Sequence, residues 1–273
     1  MENNPLKQYF RRPAVYLKLP SEGKGYAEGV IEIPESGEIP IYPMTAIDEI
    51  TARTPDALFN GTAVADLIRS CVPSIKNPWQ INSNDLDAVL IGIKAASDTE
   101  PSVDSVCPSC GELGTYGVNL IAMLSTLKSG DYETEMETGE LKIKFRPLTY
   151  KEMNDAALFQ FELQKTFATI DQTEDAVERE KLGKDALEKI TLLTMDLITK
   201  SIERIDAPNF SVTESEFVLD FLKNCDRNIY VAVREHNTKL KTDAELKPMT
   251  IVCASCGHSY EQPYSINPAD FFA

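Results

Sequence analysis

CPSCGELGTY, residues 107–116, and CASCGHSYEQ, residues 253–262, are two versions of one phrase. Each has a Cys-x-x-Cys pair, a glycine directly behind it (Gly111, Gly257), and strand-like sequence with a tyrosine. A Cys-x-x-Cys turn presents two thiolates from one knuckle, and zinc closes a structural site with four such ligands. The glycine suits a tight turn of backbone over the sulfurs. A thioredoxin-like redox pair instead stands at a helix start inside a βαβ pattern, and needs no second pair. Two knuckles that meet would give Cys107, Cys110, Cys253 and Cys256 one shared structural zinc ion per chain. His258 offers a further donor beside the second knuckle. Cys71 and Cys225 have no counterpart in the repeat and read as buried small residues. His236, in VREHNTKL, reads as a surface helix histidine.

The sequence between the knuckles repeats as well, so the pair occurs twice because the unit does. DLIRSCVPSIKNP (66–78) matches DLITKSIERIDAP (196–208) at a constant offset of 130, with Val72, Ile75 and Pro78 against Ile202, Ile205 and Pro208. The apolar spacing predicts a helix that proline stops. SGEIPIYPMTAIDE (36–49) pairs with TGELKIKFRPLTYKE (138–152), each a short alternating strand, a proline and a helix start. Thr45 with Asp48, and Thr149 with Glu152, have the spacing of a capping box. DLDAVLIGIKAAS (85–97) pairs with ESEFVLDFLKNC (214–225). Four matches in one order predict an internal duplication, with residues 1–128 as the first repeat and 129–273 as the second. The predicted fold class is α+β, each half a short β-hairpin plus helices ending in a zinc-ribbon-like knuckle. The second half carries an insertion whose Ala156, Phe159, Leu163, Phe167 and Ile170 follow helical spacing, with a polar middle that reads as a hairpin tip.

Composition narrows the partners. With 43 acidic and 27 basic side chains the net charge is −16, which opposes nucleic-acid phosphates. The densest basic cluster is FRRPAVYLK (10–18), too short to make a binding stripe. Neither a signal-peptide core nor an apolar run of about eighteen residues is present, which predicts no membrane contact and folding in the cytoplasm. Cysteine pairs in that reducing compartment point to metal or catalysis rather than disulfides. Catalysis lacks its usual parts: SEGKGY (21–26) is not a phosphate loop, no G-x-S-x-G or H-E-x-x-H occurs, and only two histidines are present. The expectation is a protein that is not an enzyme. FRRPAVYLKLPSEGKGY (10–26) suits an arm lying on a neighbour, and the phenylalanines of NPADFFA (267–273) suit a groove, either a partner's or the chain's own.

LKLPSEGKGYAEG (17–29), EIPIYPMTAIDE (38–49), CPSCG (107–111) and LKIKFRPLTYKEM (141–153) together resemble the T-even-type phage baseplate hub family of contractile-tailed phages. The strand running into Phe145, Arg146 and Pro147, with Glu152 early in the following helix, carries the resemblance most closely. It implies a non-enzymatic tail baseplate hub subunit or hub-assembly factor, with hub, wedge or tape-measure proteins as partners and homo-oligomerisation open. It also implies host cytoplasm during assembly and the virion baseplate afterwards. From the residues alone, a zinc-ribbon adaptor of transcription or replication machinery stands as the alternative, and a Cys-x-x-Cys redox enzyme as a third.

Overall fold

A computed structural model describes residues 5–52, 60–98, 101–172 and 175–264. The chain forms two compact units, one of residues 1–128 with 244–273, the other of residues 129–243. Both combine helices with small antiparallel sheets, as an α+β chain should. The described residues from Ala244 to Tyr264 belong to the first unit. The phenylalanines Phe271 and Phe272 lie outside the described residues.

In the first unit, β1 (Val15–Leu17) pairs antiparallel with β2 (Ile39–Ile41), setting Leu17 against Ile39. Alternation puts Ile39 and Ile41 on the same face, and both are fully buried. The short α1 (Ala46–Ala52) follows Thr45. There the capping box forms as read: the Asp48 carboxylate accepts from Thr45 N–H at 2.7 Å, and Asp48 N–H donates to the Thr45 hydroxyl at 3.3 Å. Helix α2 (Thr62–Cys71) starts at Gly61, whose φ of 78° no β-branched residue would adopt cheaply. It buries Val64, Leu67, Ile68 and Cys71. Helix α3 (Ser83–Ser97) is capped by Asn82, and its Gly92 lets the Ile41 side chain approach where a Cβ would stand only 2.3 Å away.

The remaining elements of this stretch lead to the first knuckle. Strands β3 (Ser102–Val106) and β4 (Leu113–Gly117) form a hairpin with Cys107 and Cys110 at its tip. Helix α4 (Leu120–Thr126) then buries Leu120 and Met123 in a cluster with Ile91 of α3.

The second unit is built on a four-stranded antiparallel sheet in sequence order, from β5 (Met136–Thr138) and β6 (Leu141–Phe145) to β7 (Ile202–Ala207) and β8 (Phe210–Val212). Between β6 and β7 run two long helices, α5 (Tyr150–Gln172) and α6 (Ala176–Ser201). They pack on each other as the hairpin that the insertion's spacing predicts, with Ala156, Leu163 and Ala186 buried. Helices α7 (Ser215–Asn224) and α8 (Arg227–Ala244) complete a core of Ile143, Phe145, Ile198, Ile202, Ile205, Val218, Leu222, Val233 and Leu240.

Two expectations are corrected here. The helix opened by Asp196 does not run to Pro208: α6 ends at Ser201, and Ile202–Ala207 is strand β7. Likewise α2 ends at Cys71, ahead of Pro73. His236 is half-buried and not, as expected, fully at the surface. Its ring lies 4.9 Å from that of Phe145, and its Nε2, like Oδ1 of Asn237, is buried and has no hydrogen-bond partner among the described residues. Burial, helped by Lys239 and opposed by Asp131, pulls the imidazole below its ordinary pKa.

The chain returns to the first unit as β9 (Met249–Val252) and β10 (Ser259–Gln262), a second hairpin with Cys253 and Cys256 at its tip. No helix among the described residues is long and apolar enough to cross a membrane.

Candidate metal centre

Each knuckle is a tight turn closed by the same two backbone hydrogen bonds. Cys107 N–H donates to the Glu112 carbonyl and Gly111 N–H to the Cys107 carbonyl, both at 2.9 Å. In the second knuckle Cys253 N–H donates to His258 and Gly257 N–H to Cys253, again at 2.9 Å. Gly111 and Gly257 hold φ values of 75° and 72°, in the left-handed region where a side chain would strain the turn. The sequence reading of both glycines therefore has its physical basis.

All four predicted ligands come together within the first unit. The Sγ atoms of Cys107 and Cys256 are 3.7 Å apart, those of Cys110 and Cys253 also 3.7 Å, and all four lie within 4.8 Å of one another. Four sulfurs bound tetrahedrally at about 2.3 Å from one ion stand about 3.8 Å apart. The cluster thus fits one tetrahedral ion of the kind that four thiolates select, zinc or iron. Cys107 and Cys253 are buried and Cys110 and Cys256 exposed, so the two knuckles contribute equivalently. His258 is outside the cluster: its ring stacks beside Tyr260 with centroids 6.2 Å apart.

The thiols do not titrate alike. Backbone N–H groups of Cys256 and Ser255 hold Cys253 down to about 6, against desolvation. At Cys110 the Glu112 N–H also favours the thiolate, but the Cys256 thiol, desolvation and the other two sulfurs push it up to about 12. Crowded sulfurs share protons in this way because they cannot all ionise without a cation to neutralise them. A bound dication supplies that charge, and its affinity rises as the thiols lose their protons.

Behind the sulfurs a polar link joins the hairpins that sequence reasoning missed. Buried Ser105 of β3 donates to Gln262 Oε1 at 2.6 Å and accepts from the Tyr260 hydroxyl at 3.0 Å. A serine at an alternating strand position gives no sign that it will face a partner more than 150 residues away. Cys71 and Cys225 stay outside the cluster, as expected. Burial, with Asp48 adding to it, pushes Cys71 up to about 11, which fits an inert core thiol.

A family model described as T4 bacteriophage base plate protein matches residues 15–273, a span that includes both knuckles. No curated protein and no solved structure shows a match.

Proposed function

The chain belongs to the family of T4 bacteriophage base plate proteins, and from that premise we propose that it is a subunit of the baseplate hub or a factor that assembles the hub. It works through contacts with other tail proteins, of hub, wedge or tape-measure type, and not by catalysis. It folds in the host cytoplasm and acts as the baseplate is built. The observation that carries this reading is the family match over residues 15–273. The membership favours a tail role over an adaptor of transcription or replication, and the net charge of −16 agrees with protein partners.

In this reading the four cysteines hold a structural zinc that joins the two knuckles. The chain between Cys110 and Cys253 spans 143 residues. Closing a loop of that length restricts the unfolded chain by about 5 kcal/mol on chain-entropy arithmetic. The two halves are read as copies of one unit. In support, Tyr42 N–H donates to the Cys71 carbonyl at 2.8 Å, and the residues equivalent by sequence, Arg146 and Ser201, make the same bond at 2.8 Å. The capping boxes also correspond, with Thr149 N–H donating to Glu152 at 2.8 Å.

Elemental analysis of the purified protein beside a Cys253→Ser/Cys256→Ser variant tests the metal. One zinc per chain, lost in the variant, is expected. Two zincs with one retained would mean separate sites, and none would remove the structural metal. Co-expression with hub, wedge and tape-measure proteins should yield a stable complex; failure to bind any of them would sink the hub reading.

A further inference from the structure

The N-terminal arm and α1 expose more apolar surface than their fold needs. Leu6, Tyr9, Phe10 and Tyr16 are exposed along the arm, and Ile47 and Ile50 on α1 are 73% and 71% exposed. Ile47 and Ile50 are one helical turn apart and share a stripe. The arm is fixed to the start of α1 by Arg11. Its guanidinium donates to the Pro43 carbonyl at 2.6 Å, to Asp48 at 3.3 Å, and to the Ser70 carbonyl and hydroxyl at 2.8 and 2.9 Å. The same group lies 5.8 Å from the centroid of the Tyr42 ring. Through Asp48 this clamp ties the arm to α1, the helix that carries the exposed stripe.

The second unit supplies an internal control. Its α5 begins with the same capping box, whose carboxylate, Glu152, also takes an arginine, here the nearby Arg146 at 2.6 Å. The positions of Ile47 and Ile50, counted from the capping threonine, are there Lys151 and Asn154. Lys151 is exposed and ion-paired with Asp155 at 2.5 Å. The motif therefore folds with polar residues at these two places, and the isoleucines of α1 serve something other than the motif. Exposed apolar groups on α1 and on an arm tied to it mark an interaction site.

Charge indicates what covers it. From Pro5 to Lys18 the chain carries Lys7, Arg11, Arg12 and Lys18 and no acid, on a chain of net charge −16. Arg11 and Lys18 have carboxylate partners within the fold, Asp48 and Glu22. Lys7 and Arg12 are exposed and make no ion pair among the described residues. We propose that the arm and α1 together form a docking surface for an acidic amphipathic segment of another baseplate protein, its apolar side on Ile47, Ile50, Tyr9 and Phe10 and its carboxylates toward Lys7 and Arg12. The source of that segment rests on the baseplate reading; the recognition chemistry does not.

The test uses the full chain and a synthetic amphipathic helix with leucines on one face and glutamates on the other, followed by fluorescence anisotropy. The comparison protein is Ile47→Lys/Ile50→Asn, which installs the second unit's residues and should keep the thermal midpoint of the parent. Binding of the acidic peptide, weakened about tenfold or more by the double substitution and absent for a peptide with lysines in place of glutamates, is the expected result. No binding, equal binding by the variant, or equal binding of the lysine peptide overturns the proposal. So does a self-association, seen by sedimentation, that the substitution abolishes, because the surface would then belong to a second copy. Co-expression with the other baseplate proteins separates the two readings. If parent and variant assemble equally, this surface fails and the baseplate role stands. If the peptide binds as expected but neither protein assembles, the baseplate role fails and the surface stands.

Discussion

Asp85 and Asp87 sit two residues apart on α3, and burial pushes both carboxyls up, at Asp85 against the hydrogen bonds that Ser21 and Tyr26 donate. Asp85 is fully buried, yet its carboxylate accepts from Ser21 N–H at 2.9 Å, from the Ser21 hydroxyl, and from the Tyr26 hydroxyl at 2.7 Å. It pins the loop after β1 to the helix. Asp85→Ala would strand two buried donors of Ser21 and the part-buried hydroxyl of Tyr26, and should lower stability by about 3 kcal/mol in denaturant unfolding. Asp87 has burial alone acting on it, which pushes its carboxyl up to about 6. Its folded pKa is above its unfolded value, so its contribution is fully present below about pH 4 and is lost as pH rises through about 6. Asp87→Asn should therefore flatten that slope and raise stability at pH 7, by at most about 3 kcal/mol. In the sequence both are acids in one apolar helical stretch. What separates them is Ser21 and Tyr26, 64 and 59 residues away, which no local pattern records.

At the scale of elements, the capping boxes were legible because both partners lie within four residues, where spacing and geometry are the same thing. Thr149→Ala removes one half of such a box and should cost about 1 kcal/mol. Strand β7 was not legible. Ile202 and Ile205 are three apart, which reads as a helix, and a regular strand would turn them to opposite faces. A register shift at Lys144/Phe145 pairs Phe145 with Ile202 and Ile143 with Ile205, so both reach the core. One step along β6 there matches two along β7, so Glu203 is the extra residue, a pairing that spacing within β7 alone does not show. The insertion was readable as helix, but not its independence from the core. The buried core of the second unit takes Ile198 from the end of α6 and nothing from α5. Replacing residues 161–188 by a short turn should leave near-native amide protection in β6, β7, α7 and α8 by hydrogen exchange. Collapse of that protection would show the hairpin to be part of the core.

At the scale of the molecule, the repeat predicted that the knuckles meet, and the cysteines do converge. Periodicity could not show that the second knuckle packs apart from the elements preceding it, because a chain boundary and a packing boundary leave different traces. All nine buried residues of the second unit's core lie within 129–243, and all four cysteines lie in the other unit. Metal removal should therefore act on one unit. Crowded thiolates without a cation repel or take up protons, and the cross-link over 143 residues is lost. A strong chelator should lower the midpoint of one thermal transition in the full chain by many degrees. A fragment of residues 129–243 should unfold cooperatively, with a midpoint that the chelator leaves unchanged. A single transition in the full chain that shifts as a whole, together with a fragment that shows no cooperative unfolding, would mean that the metal holds both units and that the second does not fold alone.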